Sequence, residues 1–359
     1  MLAAIKRGTR IVCDDIADPV PGEGQVLVRT RACGICGSDL HALHHAETVA
    51  RLYRAGGVEN VMDPAADCVF GHEFSAEILD YGPDTARRFK PGTLVTSVPR
   101  VLDQSGAHVV GYSSRFPGGY AERMLLTEEL LLEVPNGLSA VEAALTEPFA
   151  VGEHAVAAAD LQDAGGAVVV GCGPVGLAVI AALKARGFGP VVAADFAPGR
   201  RALAEALGAD EVVDPAAQSP HARWQDFGVP ATRAERTRLI ADGGKPGRPL
   251  IFECVGVPGV IQAIAEAAPA KPQIVVVGVC MESDRFEPGI SIAKEAEFRF
   301  VLGYSADEFA ATLRSIAEGR IRAGQIVTSR IAIGGVADAI AALAAPGGEA
   351  KVMIVPADG

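Results

Sequence analysis

Within the stretch Cys33-Gly34-Ile35-Cys36-Gly37-Ser38-Asp39-Leu40-His41, thiols, a hydroxyl, a carboxylate and an imidazole crowd between glycines. Cys68-Val69-Phe70-Gly71-His72-Glu73-Phe74 adds a His–Glu pair, with thirty residues between His41 and His72, and Glu147-Pro148 supplies another carboxylate. Zinc takes sulfur and nitrogen ligands, and a catalytic zinc is held by three protein groups with a fourth position open to substrate. Cys36 and His72 offer one thiolate and one imidazole, and the carboxylate could come from Glu73 or Glu147. Cys33-x-x-Cys36 is the only pair with CxxC spacing, so a four-cysteine zinc ribbon cannot be built.

A second group of residues has phosphate-binding spacing. Ala167-Val168-Val169-Val170 runs into Gly171-Cys172-Gly173-Pro174-Val175-Gly176 and then the expected helix Leu177–Arg186. Glycines spaced Gly-x-Gly-x-x-Gly give a tight turn, backbone room for a pyrophosphate and close helix-on-strand packing, with free N–H donors at the helix start. A second apolar run, Val191–Ala194, ends in Asp195, nineteen residues past Gly176, where an acid can accept from a ribose diol. No Gly-Lys-Ser/Thr follows, which excludes a Walker loop. Ala164 to Leu183 carries no charge and has about the length of a membrane span, but Gly171, Gly173 and Pro174 near its middle would leave backbone groups unbonded in lipid.

The elements needed to hold these groups follow from periodicity. Residues 1 to 130 read as mostly β: strands at Gln25–Ala32, from His72-Glu73 to Leu79 and at Leu94–Val98, turns at Lys90-Pro91-Gly92 and Gly118-Gly119-Tyr120. Cys33–His41 reads as a loop, and residues 42–66 as partly helical. Ser139–Ala159 is alanine-rich and helical, with Glu147-Pro148 interrupting it. From Val168 strands and helices alternate: Val191–Ala194, helix Gly199–Leu207, Glu211–Val213, Leu250–Val255, helix Val260–Ala268, Gln273–Val279. That alternation predicts a doubly wound parallel sheet with its ligand at the carboxyl edge. Residues 215–248 interrupt it as a polar segment, either a helical excursion or a mobile loop. Helices near Asp307–Glu318 and Val336–Leu343 and a strand Lys351–Val355 close the chain.

The 359 residues have a mean hydropathy of +0.26 and 21% charged residues, which excludes disorder and allows two well-cored domains. A formal net charge of -12 argues against nucleic-acid binding, which needs a basic footprint. Only Met1–Ile5 precede Lys6-Arg7, too short for a signal h-region. Seven cysteines without framework spacing read as reduced thiols. A cytoplasmic protein without membrane contact is expected.

Taken together, CGICGSDLH at 33–41, GHE at 71–73, KPG at 90–92, GGYAE at 118–122, EPFAVGEHA at 147–155, VVVGCGPVGL at 168–177 and FECVG at 252–256 resemble the zinc-dependent medium-chain alcohol dehydrogenases, within them the sorbitol and butanediol dehydrogenase branch. The motifs fall in the family's order along nearly the whole chain. The resemblance implies an α/β protein: a mostly β, GroES-like catalytic domain from 1–152 and 300–359, and a Rossmann domain from 153–299.

It further implies one catalytic zinc held by Cys36 and His72. The family's alcohol dehydrogenases carry a cysteine about where Glu147 stands, whereas the polyol branch has Glu-Pro and uses a carboxylate or water, so Glu73 and Glu147 are expected to share coordination as substrate comes and goes. Zinc would polarise a substrate hydroxyl so that hydride can leave for nicotinamide. Ser38 would take the proton and pass it through the nicotinamide ribose to His41, while Asp39 would bond a ligand imidazole and fix its tautomer. NAD is expected along Gly171, Gly173, Pro174, Val175, Gly176, Asp195, Arg200, Cys254, Val255 and Gly278, with the metal facing its nicotinamide. Asp195 favours NAD because a carboxylate repels a 2′-phosphate, although Arg200 and Arg201 could bind one. Many relatives carry four close cysteines for a structural zinc; residues 98–117 have none, so no structural zinc is implied. The substrate would be a small secondary alcohol, diol, polyol or ketone, and the assembly a homodimer or homotetramer formed through Gln273–Val279 and Ile290–Val301. Two other readings compete: a zinc-free quinone or enoyl reductase on the same scaffold, and a non-catalytic dinucleotide-binding protein.

Overall fold

The computed structural model describes residues 1–135, 137–344 and 349–356, which fall into two compact units. The first comprises Met1–Glu147, Phe309–Gly319 and the described part of Val327–Gly359, and the second Pro148–Glu308 with Arg320–Ile326.

The first unit is built on the ten-residue strand Gln25–Gly34. Val26, Val28 and Ala32 are fully buried and alternate with half-exposed Leu27, Arg29 and Arg31, the period of two of a strand with one face in the core. Glu73–Tyr81 and Arg123–Thr127 pair with it antiparallel. At its carboxyl end Lys351–Ile354 joins it, also antiparallel. The register sets Gly34 opposite Glu73 on one side and opposite Met353 on the other. Segments far apart in sequence therefore meet around one glycine. Arg10–Asp15, Leu2–Arg7 and Cys68–Val69 form a second, three-stranded sheet.

The stretch expected to be a loop is a strand end followed by a helix. Cys33 and Gly34 finish the strand, and Gly37–His44 is α-helical with Cys36 as its extended N-cap residue. Asp39, at the third helical position, accepts the Cys36 N–H at 3.0 Å, a capping arrangement that ties down a donor the helix cannot. Glycine at the first helical position and a cysteine at the cap hide this helix from a propensity reading. A second helix, Ala46–Ala55, follows. Glu147-Pro148 likewise starts a helix, Thr146–Ala157, rather than breaking one, since proline is tolerated in the first turn.

The second unit carries a six-stranded sheet in the order Glu211–Val213, Val191–Ala194, Ala164–Val170, Arg248–Glu253, Gln273–Val276, Glu297–Phe300, with every adjacent pair parallel. This is the doubly wound Rossmann order, centred on the strand that enters the glycine turn. Val168, Val192, Ile251 and Ile274 fill the core beside Trp224 and Val229. The polar interruption at 215–248 is a helical excursion: a 3-10 segment Pro220–Phe227 plugs the core with Trp224, 2% exposed, and helix Arg233–Ala241 follows, capped by Thr232 and Glu235. No helix among the described residues is long and apolar enough to cross a membrane.

In the glycine turn, Gly171 adopts φ +93°, and a Cβ on Gly176 would stand 1.8 Å from the Gly171 carbonyl oxygen. Nothing lies within 4 Å of a Cβ on Gly173. Gly176→Ala should therefore cost roughly 1–3 kcal/mol in thermal or urea melts, since backbone cannot yield. Gly173→Ala should stay within about 0.5 kcal/mol of the parent yet weaken NADH binding in a fluorescence titration, because its methyl fills the space left for a phosphate.

Candidate active site

Cys36, His72 and Glu73 each present a ligand atom, and these atoms all lie within 4.8 Å of one another. A tetrahedral zinc with bonds of about 2.0–2.3 Å holds its ligand atoms at about 3.4–3.6 Å separation, so small side-chain adjustments close the set on a metal. Two glycines make the cluster possible. Gly71 turns at φ +102°, where a Cβ would stand 2.6 Å from the Tyr120 ring and 2.8 Å from Cys33 Sγ. At Gly34 a Cβ would come within 1.9 Å of Glu73 Oε2; the carboxylate lies where a side chain would be. His72 and Glu73 are buried and Cys36 is half-buried.

The second glutamate, Glu147, is buried in the first turn of Thr146–Ala157 and lies outside the 4.8 Å group. What meets Glu73 instead is Lys351. Its ammonium is wholly buried, donates to both Glu73 oxygens at 2.7 Å and to the Ile35 carbonyl at 3.1 Å. Burial alone would lower this ammonium, but the negative charge of Glu73, with Cys36 and Glu147 behind it, holds it above the usual lysine value.

Asp39 is the hub on the other side. Completely buried, it accepts the Cys36 N–H at 3.0 Å, the Tyr120 hydroxyl at 2.7 Å and the Tyr112 hydroxyl at 3.1 Å. His72 Nδ1 stands 3.5 Å from Asp39 Oδ1, an ion-pair distance but long for a hydrogen bond, and it has no hydrogen-bond partner. Nδ1 facing a carboxylate leaves Nε2 for a metal, the orientation that ligating histidines need. Burial would raise the Asp39 carboxyl, yet the His72 charge and these donors keep it below its ordinary value. Burial would conversely lower the His72 imidazole, but Asp39 and Cys36 raise it well above that of a free histidine. A thiol, an imidazole turned by a carboxylate, and a second carboxylate are a donor set that fits zinc.

Ser38 sits beside Cys36 in the same helix and contacts the Tyr112 hydroxyl at 2.8 Å. His41 lies one turn on, half-buried, its basicity lowered by burial and by the charge of His45. Lys351, Tyr112 and Tyr120 escape the sequence reading. A lone lysine opening the apolar run Lys351–Ile354 was the one signal for the first. Within residues 98–117, the hairpin Arg100–Asp103/Gly106–Val109 is pinned by Asp103, which meets Ser105, His108 and Arg115. Ser105 and Asp103 both approach the same nitrogen, His108 Nε2, so this trio cannot relay a proton as a hydrolase triad does.

In the second unit, Gly173 caps helix Pro174–Ala185 with Pro174 at its first position, Val175 and Gly176 in its first turn. The Asp195 carboxylate accepts from the N–H groups of Cys172 and Ala197, both at 2.8 Å, which holds it at the glycine turn. Arg201 donates to the carbonyls of Asp195 and Phe196 and pairs with Asp214 at 3.3 Å; Arg200 is half-buried beside it. Glu253 accepts from the N–H groups of Val255 and Gly256 and fixes the turn after Cys254. A Cβ on Gly278 would stand 2.3 Å from Gly256 N, so that turn packs directly on residue 278.

Residues 22–136 match the alcohol dehydrogenase GroES-like domain, and residues 174–318 match the zinc-binding dehydrogenase family. The (R,R)-butanediol dehydrogenase of Bacillus subtilis is 32% identical over 352 residues, covering 96% of either chain. Sorbitol dehydrogenase of the same organism is 29% identical over 271 residues, 68% of this chain and 73% of its own. The crystal structure of 2R,3R-butanediol dehydrogenase from Bacillus subtilis superposes with a TM-score of 0.77 at 28% identity over 99% of both chains.

Removing one partner of a buried ion pair typically costs about 3–5 kcal/mol. Lys351→Met should lower stability by that order in urea melts, and zinc should return part of it by neutralising Glu73. The double variant Glu73→Gln/Lys351→Met should melt closer to the parent than Lys351→Met alone.

Proposed function

The chain belongs to the zinc-type medium-chain alcohol dehydrogenases, and from that membership we propose that it is a zinc- and NAD-dependent oxidoreductase of a secondary alcohol, diol or polyol, or of the matching ketone. The observation that carries the reading is the convergence of Cys36, His72 and Glu73 within 4.8 Å. These three hold the metal, with Glu147 as the nearby reserve carboxylate, its charge felt at Lys351 and Tyr53. Bound zinc supplies a Lewis acid that polarises the substrate oxygen. Ser38 Oγ takes the hydroxyl proton, and His41, whose lowered basicity keeps it neutral near pH 7, receives that proton and releases it. Asp39 orients His72.

Gly171, Gly173, Pro174, Val175 and Gly176 cradle the pyrophosphate; Asp195 takes the ribose diol, with Arg200 beside it, and Cys254, Val255 and Gly278 border the cofactor. NAD rather than NADP is supported by the carboxylate at 195. One catalytic zinc, without a structural one, is supported by the polar pinning of the hairpin around Asp103. A cytoplasmic setting is supported by seven free cysteines. A zinc-free quinone or enoyl reductase would have no use for a buried thiol, imidazole and carboxylate in one cluster.

The protein acts as a homo-oligomer. Gln273–Val276 is paired on both sides and offers no edge, contrary to the expectation for that strand. Glu297–Phe300 ends the sheet, with Phe300 70%, Leu302 80% and Ile292 75% exposed, a bare apolar edge that needs covering. Sedimentation velocity should find a dimer or tetramer, and Phe300→Asp should shift it toward monomer; a monomeric parent would refute this.

A panel of secondary alcohols, diols, polyols and ketones followed by NADH absorbance tests the chemistry. Chelation should reduce turnover at least tenfold and zinc should restore it, whereas full activity in metal-free protein would select the zinc-free reductase. In the same assay Asp195→Ala should weaken NAD and narrow its advantage over NADP; an unchanged preference would refute the role of Asp195.

A further inference from the structure

Tyr112 is 2% exposed, and its ring is held between those of Tyr53, Phe70 and His72, with centroids 5.7, 5.9 and 5.2 Å away. Its hydroxyl lies 2.8 Å from Ser38 Oγ and 3.1 Å from Asp39 Oδ1. A phenol has one hydrogen, so the two acceptors compete for it.

The single phenol hydrogen can take either of two arrangements. In one, Tyr112 donates to Asp39 and Ser38 spends its single hydrogen on the phenol oxygen. In the other, Tyr112 donates to Ser38, and the Ser38 hydrogen is free to point away. In the second, Asp39 Oδ2 keeps the Cys36 N–H and the Tyr120 hydroxyl, and Oδ1 faces His72 Nδ1 at ion-pair distance, 3.5 Å. The second arrangement alone lets Ser38 work as a relay. One lone pair takes the Tyr112 hydrogen, the other takes the substrate proton, and the hydrogen of Ser38 departs: the substrate O–H breaks, a new Ser38 O–H forms, and the original one breaks as its proton leaves toward His41. In the first arrangement the hydrogen of Ser38 points at the Tyr112 oxygen and not toward His41.

We propose that Tyr112 is the positioning residue that aims the Ser38 hydroxyl, opening the proton path when it donates to Ser38 and closing it when it donates to Asp39. The proposal rests on the dehydrogenase reading above and adds to it a residue that acts through Ser38.

Tyr112→Phe keeps the ring and removes the switch. With the zinc-loaded enzyme and an alcohol it turns over, kcat should fall about tenfold, as for one lost hydrogen bond, with KM and the NADH dissociation constant within about twofold. The solvent deuterium isotope effect on kcat should rise, a change that a packing defect would not produce. In metal-free protein without substrate, the infrared C–O stretch of Tyr112, isolated as the difference between parent and Tyr112→Phe, should shift on Ser38→Ala. An unshifted band, an unchanged kcat, or parallel losses of kcat, KM and melting temperature would overturn the role of Tyr112. A parent inactive on every alcohol would instead overturn the dehydrogenase reading, and the proton path with it.

Discussion

A carboxylate and an ammonium, both nearly sealed from water, meet at 2.7 Å between Glu73 and Lys351. Each charge alone would be costly at that depth, so the pair and its strands stand or fall together. The register that makes the contact also leaves Gly34 without a side chain between them, and only a glycine there admits the Glu73 oxygen. The same carboxylate is within reach of Cys36 and His72. A metal entering the cluster would thus share the Glu73 carboxylate with a resident cation.

Asp39 plays the complementary part. It caps the helix that carries Cys36, Ser38 and His41, receives two tyrosine hydroxyls, and faces the imidazole of His72. A single side chain therefore connects helix geometry with the orientation of the His72 imidazole and, through Tyr112, with the hydroxyl of Ser38. Satisfying so many donors in a dry site makes the surrounding side chains rigid. Rigidity of this kind suits the alcohol dehydrogenase family to which the chain belongs, since small misplacements of reacting groups are expensive in rate.

Much of this was legible in the sequence where chemistry depends on local spacing. The glycine turn at 171–176, the strand Val191–Ala194 ending in Asp195, and the nearness in type of Cys36, His72 and Glu73 all follow from short motifs. The helix Gly37–His44 was not, because its cap is a cysteine and its first residue a glycine. Trp224 sat in a segment whose overall polarity concealed one core anchor. Lys351 and Tyr112 were hidden for another reason: they reach their partners across 278 and 74 positions, and no periodicity records a contact made by sheet register and burial. Glu147 shows the converse, a residue conspicuous in its motif yet set apart from the three-residue cluster.

The separation between Glu73 and Lys351 bears on how the molecule is made. Chains emerge from the ribosome amino end first and fold progressively, and contacts between distant positions close late. When Glu73 is added to the chain its ammonium partner still awaits 278 further additions, so as it emerges the nascent carboxylate stays hydrated and the strand beside it lacks a neighbour. The pocket around Glu73 is accordingly completed only once translation has passed residue 351.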